Sequence, residues 1–290
     1  MTISTTDVEL SVPAAGPRRG RSRRTPLLVV ASMLFLAVVV TCALFGSAIT
    51  PTSPTAQDLL NTSTPPSADH WLGTDNLGQD VLSRIMVGSW WALLGPLAIA
   101  VGSLLLGGVL GLLSGYLGGW VDAAVMRVVD FVFAFPHLLV ILVVAGIVGG
   151  GYLMGVLLLV VFLAPHVTRL VRGAVLQQRE LPYVEAARSL GVSQARIMFV
   201  HLLPNVLPLA VATAFVSFSV GLVALSSLSF LGVGVPPGTA DWGRMLVENR
   251  LLLQQNPWAA VAPGLCIVLT AAAMNVVGDW LFERLTDERS

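Results

Sequence analysis

Few side chains in this 290-residue chain could carry out a reaction, and none is arranged for one. Ser114 lies in GLLSG, which lacks the Gly-x-Ser-x-Gly spacing that exposes a nucleophile on a sharp turn. Cys42 and Cys266 both stand in apolar runs, as buried free thiols do. No Cys-x-x-Cys or His-Glu-x-x-His sequence offers a metal site. No Asp is set beside a His at helical spacing within an apolar run. The 16 basic residues are all arginine. A P-loop needs a lysine on the nucleotide phosphates, so any ATP hydrolysis belongs to another polypeptide. The residues exclude an enzyme and predict no cofactor and no metal in this chain.

The elements that would hold these residues are membrane helices. The chain is 55% hydrophobic and 11% charged, against roughly 25% charged in a soluble domain. A span needs about 20 apolar residues, and six such stretches can be placed. The first runs from Pro26 to about Ile49, after the cluster RRGRSRR. It is longer than the apolar core of a secretory signal, despite a twin-arginine look at Ser22-Arg23-Arg24, and reads as a retained anchor. A polar, turn-rich stretch follows from Thr50 to about Gln79. The second span lies near Trp90 to Tyr116. Asp122, Arg127 and Asp130 mark a short polar link. Phe131 to Thr168 reads as two spans joined at Gly149-Gly150-Gly151. The fifth is about Asn205 to Leu231 and the sixth about Ala259 to Leu281, with a loop from Gly232 to Trp258 between them. The expected divisions are therefore an Arg-rich tail (1–25), a first span with its outer loop (26–84), a five-span core (85–284) and a charged tail (285–290).

Six spans place both ends on one side, and the arginines say which. Thirteen fall on the side of the termini: five between Arg18 and Arg24, then Arg127, Arg169, Arg172, Arg179, Arg188, Arg196, Arg284 and Arg289. Only Arg84, Arg244 and Arg250 fall on the other. The positive-inside rule predicts cytoplasmic termini.

Ionisable groups within spans are expensive and usually functional, and this chain has almost none. His137, His166, Ser226 and Ser229 are the candidates to line a passage. Asn275, Ser217, Ser219 and Ser227 are further polar groups, although a serine hydroxyl can simply bond its own helix. A secondary transporter coupled to ions, or a channel, would call for buried charge or an internal repeat, and neither is found. Gly107, Gly111, Gly115 and Gly119 recur every four residues, a stripe for close helix packing.

Between the fourth and fifth spans lies a polar hairpin, YVEAARSLGVSQARIMFVHLLP (Tyr183 to Pro204). Pro182 suits a first helical position, and Glu185, Ala186, Ala187, Arg188 and Leu190 are good helix formers. Gly191 suits a left-handed cap and Ser193 an N-cap for a return helix. The paired alanines predict a shallow surface that a partner can approach closely.

Glu185-Ala186-Ala187, three residues, Gly191, then Leu203-Pro204 after eleven more, resembles the EAA loop of importer permeases of the ATP-binding cassette class. His201 departs from that pattern, which has isoleucine there. LGTDNLGQDVLSR (Leu72 to Arg84), Gly111 to Asp130, FAFP (Phe133 to Pro136), RLVRGAVL (Arg169 to Leu176), SLSFLGVGVPP (Ser227 to Pro237), DWGRML (Asp241 to Leu246) and NVVGDWL (Asn275 to Leu281) are similar to the C-type permease subunits of the peptide and nickel branch. The resemblance covers about Pro26 to Arg284. It implies an all-α, six-span permease of the type I importer fold in a bacterial inner membrane, carrying dipeptides or oligopeptides. It also implies partners: a homologous B-type permease, two cytoplasmic ATPase domains or one fused ATPase binding ATP and Mg, and an extracytoplasmic substrate-binding lipoprotein. Nucleic acid has no place in it. The hairpin (182–204) would couple to the ATPase through Tyr183, Glu185, Ala186, Ala187, Leu190 and Gly191. Trp71, Thr74, Asp75, Asp80, Asp241 and Trp242 would meet the binding protein.

Overall fold

The structure, a computed structural model, describes residues 26–149 and 151–287. The expectations placed on residues 1–25, Gly150 and Arg289 lie outside the described residues. The ordered elements are helices: α1 Leu27–Ile49, α2 Val81–Leu117, α3 Gly119–Phe133, α4 His137–Val148, α5 Tyr152–Arg179, α6 Pro182–Ser189, α7 Gln194–Arg196, α8 Leu203–Phe230, α9 Trp242–Glu248 and α10 Trp258–Asp287. A π-turn, Ile197–Leu202, joins α7 to α8.

Among the described residues, five stretches are long and apolar enough to cross a membrane: α1, α2, α5, the continuous run Gln194–Phe230, and α10. The expected third span is not a straight helix. It is the pair α3 and α4, bent by 77°, and a sixth crossing exists only if that pair counts as one span. Pro136 explains the break, because it lacks an N–H and drives the preceding Phe135 out of helical geometry. The stretch read as a polar link is α3 itself. Its acids turn toward α5, where Asp122 accepts from Arg172 Nη2 at 2.6 Å and Asp130 pairs with Arg169. The last helix also runs past the expected end at Leu281, to Asp287.

The centre of the fold is the contact between α2 and α5. A Cβ added at Gly107 would lie 2.5 Å from the Ala164 carbonyl oxygen. At Gly111 it would lie 2.8 Å from that of Thr168, and at Gly115 2.8 Å from Val175 Cβ. The stripe is therefore a seam within this chain. Gly119 does not belong to it: with Gly118 it forms the break between α2 and α3, at φ +56° and +65°, and nothing lies near its absent side chain. Elsewhere α8 lies against α10, where Ser219 Oγ meets the Ala271 carbonyl and Asn275 Oδ1 at 3.0 and 3.2 Å. A second part of the core collects Val39 of α1, Ile85 of α2, Leu222 of α8, Trp242 of α9 and Ala262 of α10.

The polar stretch before α2 is fixed by a buried ion network. Arg84 is fully buried and donates to Asp75 Oδ2 at 2.7 Å, to Gln79 Oε1, and to Glu248 Oε2 at 3.0 Å. Asp75 Oδ1 accepts the backbone N–H of Leu77 and Gln79, so one carboxylate shapes the turn and holds the guanidinium. Asp80 caps α2 through Ser83 N at 2.8 Å and meets His70 Nδ1 at 3.0 Å. Asn256 Nδ2 donates to the Leu72 and Thr74 carbonyls, and Trp242 Nε1 to that of Ile85. The loops 50–80 and 231–257 are thereby one cap over the same ends of α2, α8 and α10.

Two substitutions test these contacts. Gly111→Leu forces apart backbone and side chains already in contact, for which ~1–3 kcal/mol or more is typical. Gly108→Leu, with nothing within 4 Å in this chain, is its control. The purified Gly111 variant should melt well below wild type or fail to accumulate while the Gly108 variant does neither; equal behaviour would remove the seam. Arg84→Met strands two carboxylates. At ~3–5 kcal/mol for a broken buried pair, and 2–4 °C per kcal/mol, the melting temperature should fall by on the order of 10 °C. An unchanged melting curve would show that the network contributes no stability.

Candidate functional site

The hairpin is built on helix-end chemistry. Pro182 opens α6 at its first position, with Leu181 extended before it. The helix closes with two reversed bonds, Val192 N–H to the Ala187 carbonyl at 3.1 Å and Gly191 N–H to that of Arg188 at 3.0 Å. Both require a left-handed residue at the turn, and Gly191 has φ +74°. No atom lies within 4 Å of where its Cβ would be, so backbone conformation alone calls for glycine. Ser193 occupies the expected N-cap position of α7, but its side chain makes no capping bond. The return helix does not end at Pro204. It widens through the π-turn, where Leu203 N–H reaches back to Met198, and continues as α8. A widened turn gives a proline ring room that a regular helix does not.

The inner face of α6 is welded to the bundle. Val184 and Ala187 are buried with Ile197, Met198 and Leu202, against Leu112 and Tyr116 of α2 and Val171 and Val175 of α5. Polar bonds brace the same root. Tyr183 Oη donates to Gln178 Oε1 of α5 at 3.0 Å and accepts from Asn205 Nδ2 of α8 at 3.2 Å. Arg179 Nη1 donates to the Gly115 carbonyl of α2 at 2.9 Å. Arg188 stacks over the Tyr116 ring, 5.3 Å from its centre, and forms no ion pair with Glu185.

The outer face is what a partner could touch. Glu185, Ala186, Ser189 and Gly191 are exposed, and Leu190 is 83% exposed. The two alanines divide: Ala186 faces out, whereas Ala187 faces in and belongs to the core. The shallow surface expected of the pair is thus made by one alanine, because residues one apart on a helix diverge by about 100°. Tyr183 is half-buried in the brace. Phe199 and Val200 of the π-turn are also exposed. As apolar residues in an amphipathic pattern they carried no sign of facing outward.

A cavity of about 320 Å³ opens beside the α3–α4 bend, between α5 and α8. His137 and His166, apart in sequence, both line it, together with Phe133, Phe135, Phe162 and Ser217. Ser226 and Ser229 do not. They are buried near the C-terminal end of α8, where a Cβ on Gly243 would lie 2.3 Å from the Ser226 carbonyl oxygen. Ser217 is the α8 serine that lines it, and only packing could distinguish serines along one helix.

Of the residues expected to meet a binding protein, Trp71 is 69% exposed. Thr74, Asp75, Asp80, Asp241 and Trp242 are buried in this chain, which corrects their role: they hold the cap together. Asp241 caps α9 through Arg244 N at 2.9 Å, and burial raises its carboxyl pKa above the usual range. Among the described residues no group of three or more His, Cys, Asp or Glu could hold a metal ion.

The chain is similar to permease proteins of known transport systems. It is 36% identical to the glutathione transport system permease protein GsiD of Pectobacterium atrosepticum, over 89% of this chain and 86% of that protein. It is 37% identical to the di/tripeptide transport system permease protein DppC of Pseudomonas aeruginosa, over 87% and 86%. It is 32% identical to the dipeptide transport system permease protein DppC of Alkalihalophilus pseudofirmus, over 89% and 85%. A chain of the MetNI methionine ABC transporter, solved in inward-facing conformations, shares the fold at a TM-score of 0.57 and 20% identity, covering 71% of this chain and 96% of that one. Residues 107–288, which hold the seam, the bent pair, the hairpin and α8 to α10, match the family described as binding-protein-dependent transport system inner membrane component, and the chain belongs to that family.

Proposed function

We propose that this chain is the C-type permease subunit of an ATP-driven importer of di- or oligopeptides, performing no chemistry itself. One observation carries the coupling role. A small exposed tip, Glu185, Ala186, Leu190 and Gly191, stands on a root fused to α2, α5 and α8. A push on the tip therefore reaches three spanning helices without passing through a flexible joint, which is what transmission between distant sites requires. The partners are a homologous permease, ATPase domains that bind ATP and Mg beneath the hairpin, and a substrate-binding protein delivering from outside. The peptide class follows the relatives. The cavity holding His137 and His166 is this chain's share of the passage, and exposed Trp71 is its contribution to docking.

The bent pair counts as one crossing in this reading, and the arginine asymmetry supports both termini and the hairpin lying in the cytoplasm of a bacterial inner membrane. Cysteines introduced as Thr55→Cys or Thr239→Cys should react with an impermeant thiol reagent on intact cells, and Ser193→Cys should not. Labelling of the Ser193 variant without permeabilisation would overturn the orientation.

The hairpin itself is tested by Gly191→Val. A β-branched residue in the left-handed region is disfavoured by about 1–2 kcal/mol, with no clash to add to it. The variant should insert normally yet lose ATPase copurification and uptake. Glu185→Ala, which disturbs no ion pair among the described residues, should reduce both more weakly. Full ATPase association and uptake by both variants would show that the hairpin is not the coupling element.

A further inference from the structure

Between α2, α3 and α5 lies a groove of about 290 Å³, apart from the hairpin and sharing only Val132 with the histidine cavity. Its walls are Leu106 and Leu110 of α2, Ala124 and Val128 of α3, and Pro165 and Thr168 of α5. The Thr168 hydroxyl is turned back to the Ala164 carbonyl at 2.9 Å, so its hydrogen-bonding need is met within α5. The groove offers a ligand hydrocarbon surface and nothing polar to recognise.

The helix along its edge supplies the polarity. Trp120, Arg127 and Phe131 stand at positions i, i+7 and i+11 of α3 and share its exposed side, next to Ala124 and Val128. Trp120 is 81% exposed. α3 carries two acids, and both are taken: Asp122 by Arg172 and Asp130 by Arg169. Arg127 is the only cation of α3, is exposed, and has no ion-pair partner among the described residues. α3 starts immediately after the end of α2 that packs with the hairpin, where a spanning helix leaves the bilayer. A tryptophan at the start of a crossing, and an arginine two turns further in whose long side chain can reach back to the surface, are residues that anchor a helix at the headgroup level.

We propose that this groove binds an anionic phospholipid, one acyl chain lying along α2 and α5 and the headgroup phosphate held by Arg127. Charge complementarity selects that occupant. A peptide segment or a neighbouring subunit would fill an apolar groove equally well, but neither accounts for an exposed guanidinium without an ion-pair partner among the described residues, on the helix that walls the groove and next in sequence to Val128. The bound lipid closes the gap between the bent pair and the seam, so it fixes where α3 sits.

The experiment titrates the delipidated full-length protein with phosphatidylglycerol and with phosphatidylcholine of the same acyl chains, reading bound lipid by native mass spectrometry. Phosphatidylglycerol should bind about fivefold more tightly, the factor expected from one interfacial arginine. Arg127→Gln should abolish that preference while leaving phosphatidylcholine binding unchanged, and Arg127→Lys should restore most of it. Ala124→Trp, which fills the groove, should lower retention of both lipids; Val128→Phe serves the same purpose if the tryptophan variant is poorly folded by its melting curve. Equal binding of the two lipids by wild type, or an undiminished preference in Arg127→Gln, would overturn the proposal. So would displacement by inorganic phosphate alone, which needs no acyl chain. Efficient crosslinking of Ala124→Cys to a neighbouring permease in the assembled complex would overturn it as well, by assigning the groove to a protein interface.

Discussion

The close approach of α2 and α5 is the contact on which the rest of the molecule is hung. Lipid tails are as apolar as leucine, so burying hydrocarbon does little to hold two helices together in a bilayer. Attraction must come from short-range contact, and that falls away steeply with any gap. Gly107, Gly111 and Gly115 remove the side chains that would create one. Valines at 167, 171 and 175 fill the vacated surface from α5. Because the seam extends to the last turns of α2, it also supplies the floor on which the hairpin root is built.

That floor makes a short polar helix rigid. Eight residues form little helix by themselves, and α6 has only eight. It persists because Val184 and Ala187 are in the core, its end is closed by paired reversed bonds, and Tyr183 is bonded from both sides. Specificity and stability are thus divided between faces of one element. The inner face needs particular shapes, and the outer face is exposed.

Much of this was legible in the residues. Glycines at fourfold spacing gave the seam, and Pro182 with Gly191 bounded the hairpin helix, because proline and glycine restrict backbone geometry whatever surrounds them. Apolar runs gave the spans for the same reason of simple composition. What escaped depended on packing partners far away in the chain. The acids of α3 read as solvent-facing punctuation, and only Arg169 and Arg172, some forty to fifty residues on, make them part of a helix against α5. The family resemblance implied Asp75, Asp241 and Trp242 as contacts for a binding protein, and only packing shows that each is an internal tie. Phe199 and Val200 lie in the π-turn, and hydrophobic spacing assumes a regular helix.

The choice of arginine at position 84 has an electrical consequence. A lysine enclosed so completely could relieve its confinement by giving up a proton and becoming neutral. A guanidinium keeps its charge under any ordinary condition. Enclosed with two carboxylates and an amide, Arg84 therefore cannot be switched off from its own side. The two loops it joins are locked by a charge that is permanent, and parting them would mean carrying that charge out into water.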